Sequence, residues 1–332
     1  MKYAFKIGSV WNIPIELHIT FVLLIVAVFA LSYPDLFFFY LILFLFVFVV
    51  FHELSHSLVA RHYKIKVRKI VLYPIGGVSE IEEIPENPRV EWRMAIAGPL
   101  TSFAIGLVLF GIYAVFPTTT SFQTLGSFVY DLALLNVVLG AFNLIPAFPM
   151  DGGRVFRALL AEHLKFSDAT KYAAYIGRIL GIFMAVFGIF YNFWLIITGV
   201  FIYIGASEET EATIVSTTLA RVRVKDVMHP EVAAVKPEAT VAEALDMMFR
   251  ARYHDALVEK DGMLHGVVVW DDMKKVKPEQ RNALTVEQMP LKKISVFDDE
   301  SILGADKIMT RERIYLVPVG DRGGLEKVEG IG

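Results

Sequence analysis

Cysteine is absent from the 332 residues. That removes disulfides, thiolate metal sites and a cysteine nucleophile at once, so any bound metal must use histidine, aspartate or glutamate. Charge is scarce as well: Asp, Glu, Lys and Arg make up 20% of the chain and the formal net charge is −3. With no basic tract interleaved with aromatics, a nucleic-acid partner is excluded. The opening stretch MKYAFKIGSVWNIPIELH lacks a short apolar core followed by a small-residue cleavage site, so no removed signal peptide is expected.

Apolar residues fill the space that charge leaves. They make up 55% of the chain and give a mean hydropathy of +0.53, above the roughly 45–50% apolar share of an ordinary soluble domain. The excess is confined to residues 1–206, so the expectation is a membrane domain over 1–206, an acidic linker at 207–220 and a soluble domain over 221–332. A spanning helix needs about 20 apolar residues. Stretches at 17–31, 36–56, 94–116, 128–145, 172–190 and 193–205 approach that, giving about six spans. The last two are parted only by Tyr191 and Asn192, and one bent helix there is the alternative.

Basic residues set the orientation. Lys2 and Lys6 precede the first stretch; Arg61, Lys64, Lys66, Arg68, Lys69 and Arg89 follow the second; Arg154, Arg157, Lys165 and Lys171 follow the fourth. The connections at 32–35 and 117–126 carry no Lys or Arg. The expectation is a multi-pass protein of the cell membrane with its N-terminus and its soluble domain on the cytoplasmic side.

Inside the second apolar stretch stands HELSH. His52 and His56 are spaced i, i+4, so one helical face presents both imidazoles, with Glu53 on the same turn. This H-E-x-x-H pattern is a zinc-peptidase signature, with histidine ligands and a glutamate base. A chance match is a fair reading in a soluble helix. Within a span it is less so, because an ionised carboxylate near the centre costs about 2.5–3.5 kcal/mol, although snorkelling toward Arg61 would lower that cost. Catalytic zinc usually takes a third protein ligand. FNLIPAFPMDGGRVF offers Asp151, just past the fourth stretch and at the same membrane side as His56. Pro146 and Pro149 prevent a regular helix there, and Gly152 and Gly153 allow close backbone approach, as in an unwound span end lining a cavity. On residue type alone, Asn143 reads as an interhelical amide.

HELSH followed by NLIPAFPMDGG resembles the site-2 protease family of intramembrane zinc metalloproteases, and YPIGGV at 73–78 and AGP at 97–99 resemble two further features of it. The resemblance implies one catalytic Zn²⁺ held by His52, His56 and Asp151, Glu53 as general base, and Asn143 near the scissile carbonyl or its oxyanion. It also implies a zinc metalloendopeptidase whose substrate is a transmembrane protein helix. Between the second and third stretches, KIKVRKIVLYPIGGVSEIEEI alternates at period two, so a hairpin or small sheet is expected at the membrane surface, and YAFKIGSVWNIPIEL can add a strand to it. Its edge is suited to hold substrate in extended form by backbone pairing. A hairpin that merely caps the helices is the equal alternative.

The soluble part repeats itself. VKDVMHPEVAAVKPEATVAEALDMMFRARYHDALV aligns with VEQMPLKKISVFDDESILGADKIMTRERIYLVPV, matching Met228 with Met289, Val235 with Val296, Met248 with Met309 and Arg252 with Arg313. Each unit reads as an entry segment, a strand, an amphipathic helix and a further strand. This resembles a tandem pair of CBS domains, an α/β architecture that implies a regulatory role, an adenosine nucleotide as ligand and a homodimer. Asp272 stands where a residue could reach a ribose, whereas Val269 replaces the family's usual Ser or Thr. The second repeat ends at VEGIG, short of a complete final strand and helix. The runner-up reading is a CBS-regulated metal-ion transporter or channel. Transport calls for a continuous polar path and often repeated halves, and residues 1–206 show neither.

Overall fold

The computed structural model describes residues 4–81, 87–115, 123–229, 232–260, 263–321 and 324–331. Most of the Lys- and Arg-free connection at 117–126, and the end of the expected hairpin beyond Ile81, lie outside them. The chain divides into two compact units, Met1–Thr213 and Ile214–Gly332.

The first unit opens with two short strands, β1 (Ala4–Val10) and β2 (Ile13–His18), followed by helix α1 (Ile19–Ser32) and helix α2 (Phe37–His62). α2 is built from Phe, Leu and Val with neither Gly nor Pro. It ends where Lys64 takes the left-handed conformation (φ 61°) and Ile65 N–H donates to the Ala60 carbonyl at 3.0 Å. The period-two segment forms the expected hairpin, β3 (Val67–Tyr73) and β4 (Gly76–Ile81). Together the four strands form one sheet in the order β1-β2-β3-β4, with β2 parallel to β3 and β4 at an edge. Ile13, Ile70 and Leu54 form the apolar seam between sheet and α2.

Helix α3 (Pro88–Val115) carries the AGP segment inside it and packs on α2, on α4 (Gln123–Asn143) and on α5 (Asp151–Ala161). α6 (Phe166–Tyr191) and α7 (Phe193–Leu219) are separate helices, broken at Asn192, whose backbone is extended. They pack closely: a Cβ on Gly181 would stand 2.7 Å from the Gly199 carbonyl oxygen. α2, α3, α6 and residues 125–143 of α4 are each long and apolar enough to cross a membrane. Most of each lies on the outside of the unit, as with Leu107 (73% exposed) and Phe183 (64%), an apolar surface suited to lipid rather than water. α1 is apolar but has 14 residues, about 21 Å of helix against about 30 Å of hydrocarbon.

The expected linker at 207–220 is helical, because α7 continues through the acidic stretch to Leu219. Thr210 hydroxyl donates to the Ala206 carbonyl at 2.9 Å, Thr213 is buried, and Glu209 finds a cationic partner, so the polar residues support the helix rather than end it.

The second unit contains β5 (Ala234–Val235), α8 (Val241–Ala251), β6 (Asp255–Lys260), β7 (Met263–Val269) and the short α9 (Trp270–Met273). It then repeats the pattern with β8 (Val296–Phe297), α10 (Ile302–Glu312), β9 (Val317–Asp321) and β10 (Gly324–Ile331). The sheets are ordered β5-β6-β7 and β10-β9-β8. Local signals recur at matching places: Thr240 and Ser301 cap α8 and α10, and Arg252 and Arg313 end them in the left-handed conformation. The expected shortfall in the second repeat is corrected for its strand, since β10 pairs antiparallel with β9 where β7 pairs with β6.

Candidate metal centre

α2 presents His52 and His56 inward, with 4% and 8% of their surfaces exposed. The chain leaves helical geometry after Asn143, turns through Leu144–Met150 and re-enters it at Asp151, the first residue of α5. The turn is tight because no side chain intrudes at the two glycines that follow. A Cβ on Gly153 would stand 2.6 Å from Phe148 N, and one on Gly152 would overlap the backbone of Leu144 and Ile145. As α5's first residue, the Asp151 carboxylate is favoured by the helix dipole. Its Oδ2 lies 3.1 Å from His52 Nε2 and 3.2 Å from His56 Nε2. Three atoms able to ligate a metal therefore meet at one point.

Each imidazole is held from behind. His56 Nδ1 donates to the Met94 carbonyl at 2.7 Å, so Nε2 is the nitrogen left with a lone pair. His52 Nδ1 lies 2.9 Å from Ser102 Oγ. Both partners belong to α3, and Gly98, on the same helix, lies directly under the two rings, where an added Cβ would overlap both Nε2 atoms. Glu53 points toward β4: its carboxylate accepts from Ser79 Oγ at 2.8 Å, and a Cβ on Gly77 would overlap its Cγ. The period-two hairpin thus positions the expected base as well as covering the helices.

These groups line a cavity of about 400 Å³ with Asn143, Arg154 and the β4 residues Gly76–Ser79. Asn143 Nδ2 donates to the Leu139 carbonyl at 3.0 Å, which uses one of its two amide hydrogens and leaves the other free for a ligand. The residues fit zinc. Tetrahedral N and O ligands about 2.0–2.1 Å from an ion stand about 3.3 Å from one another, close to the two spacings measured to Asp151 Oδ2.

Asp272 belongs to the second unit. It accepts from Lys275 Nζ at 2.6 Å and does not line the cavity of about 410 Å³ bounded by Met263–Gly266 and Lys293–Ser295.

The model of peptidase family M50 matches residues 40–127 and 115–184, and that of the CBS domain matches residues 224–279. Zinc metalloprotease MJ0392 of Methanocaldococcus jannaschii is 39% identical over 329 residues, 98% of this chain and 94% of that one. A solved site-2 protease from the same organism is 44% identical, covering 63% of this chain and 95% of that one, with a TM-score of 0.49. The CBS domain of a bacterial CNNM/CorC family Mg²⁺ transporter is 20% identical over 36% of this chain and 74% of that one, with a TM-score of 0.32.

The chain belongs to peptidase family M50, the site-2 protease family. It is a membrane zinc metalloprotease carrying a CBS domain, and the transporter alternative is the less supported.

Sequence reasoning had no signal for the Met94 carbonyl, Ser102 or Ser79. It marked AGP and YPIGGV by resemblance alone. The reason for a glycine at 98 and at 77 is the space taken by the side chains of His52, His56 and Glu53.

Proposed function

We propose that His52, His56 and Asp151 hold a single catalytic zinc and that Glu53 is the general base for hydrolysis of a peptide bond in a transmembrane substrate helix. The observation that carries this reading is the meeting of three ligand atoms, two from α2 and one from α5, beside a carboxylate in one cavity. When bound, zinc supplies a Lewis acid that makes water a nucleophile near neutral pH. Glu53, oriented by Ser79, takes the proton from that water and returns it to the leaving amine. Asn143, which lines the same cavity, would donate its second amide hydrogen to the oxygen of the scissile carbonyl.

A helical substrate has its amides tied up internally, so the cleaved segment must first become extended. β4 is an edge strand whose Gly77–Ser79 segment lines the cavity beside Glu53, and backbone pairing along it would present a scissile bond there. α1, whose shortfall in length is met by local thinning of the bilayer, and the apolar first half of α7 complete six crossings with the four longer helices. The Lys and Arg distribution then places the N-terminus, the metal side of α2 and the second unit in the cytoplasm. The two repeats of the second unit act as a CBS pair that modulates cleavage, takes an adenosine nucleotide with Asp272 toward its ribose, and dimerises the protein.

Purified variants test the roles. Glu53→Gln is expected to abolish cleavage with zinc retained, whereas His56→Ala and Asp151→Ala are expected to lose the metal. Full proteolysis by Glu53→Gln would remove the base from Glu53, and full zinc occupancy in Asp151→Ala would put another residue in the third ligand position.

A further inference from the structure

Arg157 has no part in the catalytic reading, yet it is buried and ion-paired to two glutamates. It lies on α5 after Asp151 and is 4% exposed. Its Nε donates to Glu91 Oε1 at 2.8 Å, a terminal nitrogen donates to the same oxygen, and the other donates to Glu209 Oε1 at 2.6 Å. The guanidinium also stands over two rings, 5.0 Å from the centroid of Phe148 and 4.7 Å from that of Phe166.

These partners occupy telling places. Phe148, fully buried, belongs to the turn that delivers Asp151. Glu91, 1% exposed, lies on α3 one turn before Met94, whose carbonyl fixes His56, and two turns before Gly98 under both imidazoles. Arg157 therefore ties the turn bearing the carboxylate to the helix that backs the histidines. Glu209 adds a third element, α7, by which the chain passes from the first unit into the second.

We propose that Arg157 is a positioning residue for the metal centre: clamped by Glu91 and Glu209, it sets the placement of Asp151 against His52 and His56 and makes that placement depend on α7. This rests on the zinc-ligand reading above. A buried guanidinium is suited to the task, because its planar fork fixes direction as well as distance and a lysine cannot reproduce it. Leaving either buried charge without its partner is strongly unfavourable, so the two groups hold their elements together.

The test uses the full chain in detergent, with Arg157→Lys, Glu209→Gln, Asp151→Asn and, as a control, Lys171→Ala, which loses the exposed pair with Asp168. Four quantities are read: folding by thermal melt, the zinc dissociation constant by chelator competition, the visible spectrum of the Co²⁺-loaded protein, and kcat and KM on a transmembrane substrate. Arg157→Lys is expected to weaken zinc by about 10–100-fold, the range for outer partners of metal ligands, to shift the Co²⁺ bands and to lower kcat at unchanged KM. Glu209→Gln, which removes the charge at a single bond, is expected to move the same quantities several-fold in the same direction, and Lys171→Ala to move none.

Folded variants with wild-type zinc affinity and Co²⁺ spectrum would overturn the proposal. An effect of Arg157→Lys without one of Glu209→Gln would overturn the dependence on α7. If Arg157→Lys does not fold, Glu209→Gln decides, since Glu209 is partly exposed and its loss leaves the Glu91 clamp in place. Unchanged zinc binding by Asp151→Asn would instead defeat the ligand reading, whatever Arg157 does.

Discussion

Gly77 and Glu53 share one space: a Cβ at residue 77 would stand 3.1 Å from Glu53 Cδ and overlap Cγ. The strand that lies beside the cavity therefore constrains the proposed base directly. Gly77→Ala is expected to push the carboxylate away from its Ser79 hydrogen bond while leaving the metal ligands untouched. A misplacement of about 1 Å can cost about 100-fold in rate. Zinc occupancy equal to wild type, with kcat down by that order, is the expected pair of measurements. An unchanged kcat would show that Glu53 works from another rotamer.

Gly98→Ala makes the complementary case. Its added methyl enters the space of both Nε2 atoms, and the neighbouring Pro99 and the packing of α3 on α4 limit how far the helix can withdraw. Metal content measured on purified protein is expected to fall, with activity falling in proportion. The two glycine variants thus separate the two halves of the site, one losing the base and the other the ion.

Ser102 reaches the same chemistry through a hydrogen bond. His52 Nδ1 has its oxygen at 2.9 Å in a buried setting, which fixes the orientation of the ring. Ser102→Ala is expected to weaken zinc by about 10–100-fold without unfolding the protein, and Ser102→Thr, which keeps the hydroxyl, to recover part of it. Chelator competition on the three proteins checks the order.

That His52, His56 and Asp151 come together was legible because their chemistry is written in residue type. Two imidazoles at helical spacing within an apolar run, and an aspartate set between prolines and glycines, are costly to keep at a membrane unless they serve a site. Met94 left no trace, since its contribution is a backbone carbonyl that any residue would supply. Ser79 and Ser102 look like ordinary small residues until the helix and hairpin bring them to Glu53 and His52. The alternation through Val67–Ile81 revealed the strands, with Ile70 and Leu72 packed against α2, whereas the burial of Val71 on the opposite face and the parallel pairing of β2 with β3 are tertiary facts. At residue 207 the change of composition marks the end of an apolar surface and not the end of structure. α7 continues because a helix can leave apolar surroundings without unwinding when its polar side chains find partners, as Glu209 does with Arg157.

The second unit has its own buried charge. Asp255, 1% exposed, opens β6 in the first repeat and accepts backbone N–H groups from Tyr315 and Leu316 in the second, at 3.2 Å for Leu316. The link joins corresponding parts of the repeats, where the rings of His254 and Tyr315 also meet at 5.2 Å. Asp255→Ala leaves two amide hydrogens without an acceptor and is expected to cost about 2–4 kcal/mol, given about 1.5–3 for a hydrogen bond to a charged group. Burial pushes the Asp255 carboxyl above its ordinary range, partly offset by those two amides. The folded state thus keeps the proton at pH values where the unfolded chain has released it. Stability of this unit falls as pH rises from about 4 until the folded carboxyl has ionised. Asp255→Asn keeps an accepting oxygen and sheds the charge, so it is expected to flatten that slope. Denaturant melts of the full chain that follow a second-unit probe, run on wild type and both variants between pH 4 and pH 7, distinguish the effects: a flatter profile for both variants, which both lack the carboxyl, with the alanine profile lying lower because it also loses the accepting oxygen. An asparagine variant with the wild-type slope would place the titrating group elsewhere.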